Sequence, residues 1–337
     1  MNLQTQYLGL TLRNPLVASA GPLSQTVDGV RSLADGGVGA VVLYSLFEEQ
    51  LRQEAARDTL LEDMHNESFA ESLSYFPVPP QGDTARSHRY LTLLERSVAA
   101  VDVPVIASLN GSTAGGWTKF AQQMADAGAA AIELNIYLVP GDVHTRGRDV
   151  EDRHVEILSS VKSAVEVPVA IKLSPFFSST GQIATRLDEA GADGLVLFNR
   201  FLQPEIDTET LIVDSSWSLS SPFEGRLPRT WIAALRGRVS ASLAGTGGVE
   251  TSEDVAKYLL AGADVVMTTS SLLRNGPHYS ADLLAGLESW LERKGFTGLD
   301  HVRGMLSVPQ DVDETAYERA GYVAALEKAK QVYGAVV

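Results

Sequence analysis

The hydrophobic pattern of this chain repeats one unit, in which a helical segment ends at a small-residue turn and an apolar strand follows. Four copies read ADGGVGAVVL (34–43), ADAGAAAIEL (125–134), DEAGADGLVL (188–197) and LLAGADVVMT (259–268). Glycine at the end of a helix readily adopts the left-handed backbone conformation. The almost wholly apolar strands are typical of parallel strands that are buried on both faces.

Eight strands are predicted in all, with helical segments between them. Two of the strands begin at a proline, in VDVPVIASL (101–109) and VEVPVAIKL (165–173), where the missing N–H does little harm. The strands are predicted near 14–20, 39–45, 104–109, 131–136, 168–173, 193–198, 240–245 and 264–268, and helices near 116–127, 151–165, 181–190 and 251–261. This alternation predicts parallel βαβ units with right-handed crossovers.

Eight such units favour a closed (β/α)8 TIM barrel of the α/β class, with a doubly wound open sheet as the alternative. Residues 46–90 and 200–228 are long insertions after strand ends, so we expect them on the catalytic face as lids or binding loops. The tail from about 300 predicts one more amphipathic helix near 314–332. No linker divides the chain, which predicts one domain over 1–337.

The charge and the absence of cysteine in the sequence argue against several classes of binding partner and of chemical site. The chain has 27 basic and 42 acidic residues, a formal net charge of −15, which disfavours binding to nucleic acid or to anionic membranes. It has no cysteine, which excludes disulfides, thiolate-bound zinc, thiolate-bound iron–sulfur clusters and a cysteine nucleophile. We find no secretory signal and no apolar run of membrane-spanning length, and therefore expect a cytoplasmic protein.

Candidate ligand-binding residues follow several predicted strands, because barrel enzymes bind ligands at the carboxyl ends of their strands. The small residues Ala18 and Ser19 would let a flat ligand approach the backbone, although a tight turn explains them equally well. Asn135 and Asn199 offer amides after strands four and six, where a solvated loop asparagine is the alternative.

Lys172 lies inside the apolar fifth strand, where an unpaired ammonium group is costly to bury. We expect it to contact an anion or a ligand, and it is suited to stabilise negative charge on a reduced flavin. Schiff-base catalysis and a structural ion pair are the alternative uses of this lysine.

Glycines and hydroxyl groups follow strands seven and eight. Gly247 and Gly248 come after the seventh strand, and Thr269 and Ser270 come after the eighth. In this order they are typical of the phosphate-binding cup of TIM barrels. A single cup indicates a ligand with one phosphate, although many phosphate-binding barrels are not flavoproteins.

The sequence resembles the soluble, FMN-dependent dihydroorotate dehydrogenases, and most closely a dihydroorotate dehydrogenase-like subgroup. The matching stretches are NPLVASAGP (14–22), IELN (132–135), VPVAIKLSPFF (167–177), DGLVLFNRF (193–201) and AGTGGVETSEDVAKYLLAGADVVMTTSSLLRNGP (244–277). The resemblance implies a TIM barrel, bound FMN, and the oxidation of dihydroorotate to orotate in pyrimidine biosynthesis. It also implies a soluble electron acceptor and a homodimer.

The resemblance assigns roles residue by residue. Lys172 and Asn135 would hold the edge of the isoalloxazine ring, Ala18 and Ser19 would lie against it, and Ser45 and Asn199 would complete the flavin site. Asn135 and Asn199 would also face the substrate. The phosphate would be held by Gly247, Gly248, Thr269 and Ser270.

The chain departs from the family pattern where the substrate would react. The family has a Cys or Ser base in a motif like N-L-S-C-P-N, whereas residues 135–141 read NIYLVPG. Tyr44 stands where the family has a lysine, and an asparagine expected in the first insertion is absent from 72–80. These departures remove amides that recognise orotate, and each unmatched buried polar group costs about 1–3 kcal/mol. They therefore count against dihydroorotate itself as the substrate.

The nearest candidates for the missing base are Tyr137 and His144. A tyrosine is a weak acid and needs a cation or a hydrogen bond to act as a base at neutral pH. Histidine titrates in the right range. The alternative is that Tyr137 packs on the ligand and His144 is solvated.

Three functional hypotheses follow. The first is an FMN-dependent oxidoreductase that acts on a C–C bond of a small planar substrate. The second is a flavin-binding paralogue without turnover, serving as a sensor or partner subunit. The third is a non-redox isomerase or aldolase acting on phosphosugars, with Lys172 as the reactive amine.

Overall fold

Eight parallel strands close into a barrel in the computed structural model, which describes residues 1–49, 86–111, 117–214 and 218–334. The strands are β1 (Thr5–Tyr7), β2 (Leu10–Leu12), β3 (Leu16–Ala18), β4 (Ala40–Val42), β5 (Leu46–Phe47), β6 (Val105–Gly111), β7 (Ala131–Ile136), β8 (Val169–Leu173), β9 (Gly194–Leu197), β10 (Glu205–Asp207), β11 (Ile212–Asp214), β12 (Ser242–Thr246) and β13 (Val265–Thr268). The barrel order is β4-β3-β13-β12-β9-β8-β7-β6, and pairing of β4 with β6 closes the ring. The predicted TIM barrel is confirmed, and the closing pair excludes the open sheet.

Helices follow the barrel strands and, apart from the tail helix, cover the outside of the barrel. They are α1 (Val27–Asp35), α2 (Arg86–Val98), α3 (Trp117–Asp126), α4 (Gly147–Lys162), α5 (Thr180–Glu189), α6 (Arg226–Leu235), α7 (Ser252–Ala261), α8 (Ser270–Asn275), α9 (Tyr279–Lys294) and α10 (Glu314–Tyr333). None of these described helices is long and apolar enough to cross a membrane.

The repeated helix–turn–strand unit has the backbone conformation that its glycines predict. Gly37, Gly128, Gly191 and Gly262 all have φ between +90° and +122°, a region that side chains disfavour. Each glycine ends a helix and turns the chain directly into the next buried strand. The four sequence copies are therefore four copies of one structural device.

In two of the copies an aspartate fixes the start of the strand to its neighbour. Asp193 Oδ2 accepts a hydrogen bond from Val169 N (2.7 Å), the first residue of β8. Asp264 Oδ2 accepts in the same way from Leu243 N in β12 (2.8 Å). The carboxylates thus pair backbone groups at the amino ends of the strands, where the barrel ladder begins.

The apolar core has two layers. One layer fills the inside of the barrel with small and medium side chains, and the other lies between the strands and the helices. The β1–β2 hairpin closes the amino end of the barrel with Tyr7, Leu8 and Leu12, which are each almost completely buried. Any open space inside the barrel must therefore lie at the carboxyl ends of the strands.

The two insertions and the tail lie outside the repeated strand–helix units. Most of the first insertion, residues 50–85, lies outside the described residues, and this includes 72–80, where the family's asparagine was expected. The second insertion contains the β10–β11 hairpin and a 3-10 helix, Pro222–Gly225, which leads into α6. The tail helix α10 forms where it was expected, but its described side chains are nearly all exposed, so it buries no apolar face against the barrel.

Candidate active site

A cavity of about 860 Å³ opens at the carboxyl ends of the barrel strands. Its volume falls within the range of about 300–1,000 Å³ that is usual for small-ligand sites. The structure brings most of the predicted site residues together in its wall, namely Ser19, Ser45, Asn135, Tyr137, Lys172, Asn199, Gly247, Gly248, Thr269 and Ser270.

A buried ion pair lies at the base of this cavity. Lys172 Nζ is 3.5 Å from Glu133 Oε1 and 3.3 Å from Ser19 Oγ. The side chains of Lys172 and Glu133 are 8% and 1% exposed, and Glu133 Oε2 accepts no hydrogen bond from the described residues. The carboxylate offsets the cost of burying the ammonium group, while Lys172 still borders the cavity and can meet a ligand.

The two predicted asparagines are hydrogen-bonded to each other. Asn199 Nδ2 donates to Asn135 Oδ1 at 2.6 Å, which leaves Asn135 Nδ2 as a donor and Asn199 Oδ1 as an acceptor toward a ligand. A third amide, Asn110, is 7% exposed and also lines the cavity. Our sequence reasoning missed Asn110, although it stands at a strand end like the other two.

The glycine turn after β12 has the shape of a cup. Gly247 has φ +95°, and a Cβ placed on it would meet no atom within 4 Å, so its backbone borders open space. Gly248 has φ +63°, and a Cβ there would lie 2.5 Å from Gly225 N. Only glycine fits this turn, which leaves room for a ligand group against the backbone.

Ser220 completes the cup from the second insertion. Its Oγ accepts from Gly248 N (3.4 Å) and donates to Ser270 Oγ (3.0 Å). Arg274 Nη2 holds the Ser220 carbonyl at 2.8 Å. Backbone N–H and hydroxyl groups therefore meet here, and they are groups of the kind that bind phosphate once a ligand replaces their mutual hydrogen bonds. No strand-end pattern marked Ser220, because it lies in an irregular segment.

Aromatic and hydroxyl groups form the opposite wall. Tyr44, which replaces the expected lysine, lies edge-on to Tyr90 with ring centroids 5.2 Å apart. The Tyr90 hydroxyl accepts from Ser108 N (2.8 Å), and Ser108 Oγ contacts Ser45 Oγ (2.8 Å). Burial raises the pKa of Tyr90, so its hydroxyl stays neutral. Tyr44 and Tyr90 therefore place neutral hydroxyl groups where the family pattern has a cation.

The two candidate bases lie in different environments. The Tyr137 ring stacks on Phe201 at 4.3 Å, and its Oη accepts from Leu202 N at 2.9 Å, so the side chain is fixed at the cavity. His144 is exposed in the loop between β7 and α4 and does not line the cavity. The structure therefore brings Tyr137 into the site and leaves His144 outside it.

Ala18 also lies away from the cavity. Its side chain packs in the layer between strands and helices, whereas Val17 belongs to the barrel interior and Ser19 lines the cavity. Successive side chains of a strand point to opposite faces, which explains the difference. Ala18 therefore does not border the cavity as expected for a residue that lies against a bound ring, whereas Ser19 and Ala20 do border it.

The closed barrel, the buried cation, the paired amides and the glycine turn together form a polar cavity at the carboxyl ends of the strands of a TIM barrel. The family model for dihydroorotate dehydrogenase matches residues 2–291, and the chain belongs to that family. It is therefore an oxidoreductase of a family whose reaction serves pyrimidine biosynthesis.

Curated relatives are similar over much of the chain. The catalytic subunit of dihydroorotate dehydrogenase B (NAD(+)) from Methanothermobacter thermautotrophicus is 27% identical over 310 residues, covering 90% of this chain and 98% of the relative. The same subunit from Anoxybacillus flavithermus is 30% identical over 213 residues, covering 61% and 66%. A putative dihydroorotate dehydrogenase A (fumarate) from Aeropyrum pernix is 28% identical, covering 63% and 70%.

The Glu133–Lys172 pair generates a stability prediction. Glu133→Gln leaves the ammonium group buried without its counter-ion, and we expect it to lower the free energy of unfolding by about 3–5 kcal/mol. The double variant Glu133→Gln/Lys172→Met buries neither charge and should recover much of that loss. Urea unfolding followed by circular dichroism measures both. Equal stability of the wild type and Glu133→Gln would show that the pair is not coupled.

Proposed function

We propose that this protein is an FMN-dependent oxidoreductase of the CH–CH donor class. Its substrate is dihydroorotate or a related small planar ring with an adjacent hydrogen-bond donor and acceptor. The observation that carries the proposal is the buried Lys172 ammonium group, which borders the cavity beside Asn135 and in the same cavity as the glycine cup.

The residues present fit FMN. The single cup of Gly247, Gly248, Thr269 and Ser270 suits one phosphate, and Lys172 with Asn135 suits the polar edge of the isoalloxazine ring. Bound there, FMN would supply the hydride acceptor for the oxidation of the substrate.

The amides and the tyrosine define what the protein does to the substrate. Asn135 Nδ2 and Asn199 Oδ1 would hold the donor and acceptor of a cyclic amide, and so orient the ring against the cofactor. Tyr137 Oη would take the proton that leaves the neighbouring carbon. The Leu202 N–H that points at this oxygen would stabilise the negative charge it carries as a base.

The remaining features of the proposal concern the assembly and its surroundings. We propose a soluble electron acceptor, because the names of the relatives given above include NAD(+) or fumarate, and both are soluble molecules. A homodimer in the cytoplasm is proposed on the family resemblance.

One observation favours a second function. Residues 135–141 contain neither the Cys nor the Ser that the family uses as its base. A paralogue that binds flavin without turning over a substrate, as a sensor or partner subunit, would need no such base. A substrate that reduces the bound flavin separates the two functions.

The proposal predicts that the purified protein is yellow and releases FMN when denatured. Under anaerobic conditions, dihydroorotate or a related cyclic amide should bleach the flavin absorbance. Release of FAD, or of no flavin, would contradict the proposed cofactor. A flavin that no candidate substrate bleaches would favour the paralogue without turnover.

Lys172 should be needed to retain FMN. We expect Lys172→Ala in a Glu133→Gln background to weaken FMN binding by roughly tenfold to a hundredfold, as for loss of a hydrogen bond to a charged group. Glu133→Gln alone is the control, because it keeps the lysine and leaves no unpaired carboxylate. Flavin fluorescence during dialysis measures the affinity. An unchanged affinity would show that the lysine only balances Glu133.

Tyr137→Phe should slow flavin reduction by about 10²–10⁴-fold, the usual contribution of a positioned base, without loss of FMN. In the His144→Ala variant the flavin should be reduced at the wild-type rate, because His144 is exposed away from the cavity. Stopped-flow absorbance from pH 6 to 9 measures both. If the Tyr137→Phe variant reduced its flavin at the wild-type rate, Tyr137 would not be the base.

A further inference from the structure

A second cavity, of about 640 Å³, lies beside the first and is called here the flank cavity. It is formed by the segments that follow β8 and β9 and by residues 223–230 at the start of α6. Phe198, Asn199, Thr246 and Gly247 belong to the walls of both cavities. An occupant of the flank cavity would therefore lie next to the cofactor site.

The wall of the flank cavity is rich in apolar and aromatic side chains that remain open to solvent. Phe176 and Phe223 are 67% and 70% exposed, and Leu227 is 48% exposed. Soluble proteins seldom leave large apolar side chains clustered on one concave surface unless it binds something. The face of a flat aromatic molecule would cover them.

One cation stands at the rim of the flank cavity. The Arg226 guanidinium lies 4.8 Å from the centre of the Phe223 ring and contacts no carboxylate among the described residues. The other arginine of the wall, Arg200, is paired with Glu224 at 2.8 Å. The rim therefore carries a positive charge on a chain whose net charge is −15, which favours an anionic group on the occupant.

A chain of aromatic ring contacts connects the two cavities. Phe176 lies edge-on to Phe201 at 5.6 Å, and Phe201 stacks on Tyr137 at 4.3 Å. Tyr137 lines the 860 Å³ cavity at the strand ends, called here the main cavity, whereas Phe176 and Phe201 line the flank cavity. The aromatic wall thus runs without a break from one site to the other.

We propose that the flank cavity binds the second redox substrate, a planar aromatic anion that accepts two electrons, while the small substrate occupies the main cavity. This inference rests on the proposed function. The small substrate loses two electrons and two protons as its C–C bond becomes a double bond. The acceptor gains them, as a quinone does when it becomes a hydroquinone. The two substrates would then bind at different places.

The probes are 1,4-naphthoquinone-2-sulfonate, which is a planar anion, and menadione, which is planar and uncharged. Calorimetry measures their binding to the oxidised protein as isolated, without turnover. Leu227→Arg should weaken both about tenfold or more, because it puts a charge into the apolar wall. Arg226→Gln should weaken the sulfonate about fivefold and leave menadione unchanged.

Leu326→Arg is the matched control, since Leu326 is 45% exposed on the helix α10, which does not border either cavity. It should bind both probes like the wild type. In stopped-flow experiments, Leu227→Arg should slow reoxidation of the reduced protein by the sulfonate. Leu227→Arg should leave the rate of flavin bleaching by the small substrate unchanged. A general folding defect would slow both reactions.

Equal binding of the probes to the wild type and to Leu227→Arg would overturn the inference. So would the absence of binding to the wild type, or competitive displacement of the probes by the small substrate. These outcomes leave the proposed function intact if the protein still releases FMN and is bleached by its substrate. A protein without FMN would instead contradict the proposed function, whatever the probes do.

Discussion

The alternation of side chains along eight closed parallel strands is the constraint on which this structure depends. Because the strands all run in one direction and β4 pairs with β6, every carboxyl end meets at one face. The β1–β2 hairpin fills the opposite end, so open space remains only at that face. Alternation then decides which residues reach it: Ser19 and Lys172 point to the cavity, and Ala18 points to the helices.

The inward position of Lys172 sets the electrostatics of the site. An ammonium group in a barrel wall needs a counter-ion, and Glu133 on the adjacent strand β7 provides it at 3.5 Å. The pair keeps a positive charge beside Asn135 and Asn199 without an unbalanced charge in the core. On the opposite wall Tyr44 and the neutral Tyr90 add no cation, so the positive charge at the base of the cavity comes from Lys172 among the residues that the structure describes there.

The second insertion connects the two cavities to one segment of the chain. It brings Ser220 to the glycine cup, and it ends in the 3-10 helix that leads to Arg226 and Leu227 in the wall of the flank cavity. The barrel supplies a rigid frame for both cavities, while an irregular loop supplies their distinguishing groups. Loops on a rigid scaffold can take up side chains that the strand pattern does not allow.

The sequence alone determined the features that depend on residues close together in the chain. The strand pattern, the left-handed glycines at the turns, the costly Lys172 and the Gly247–Gly248 cup all follow from local periodicity and local backbone geometry. These were sufficient to predict the barrel, and they placed most of the cavity wall in advance.

Only the tertiary structure decided which of these groups meet. Glu133 is 39 residues from Lys172, and Ser220 is 50 residues from Ser270, so no local pattern indicates either contact. The same holds for Tyr137, whose ring is fixed by Phe201, and for His144, which the loop carries into solvent. A pattern of neighbouring residues fixes the direction of a side chain on a strand, but its partner across the barrel depends on how the ring of strands closes.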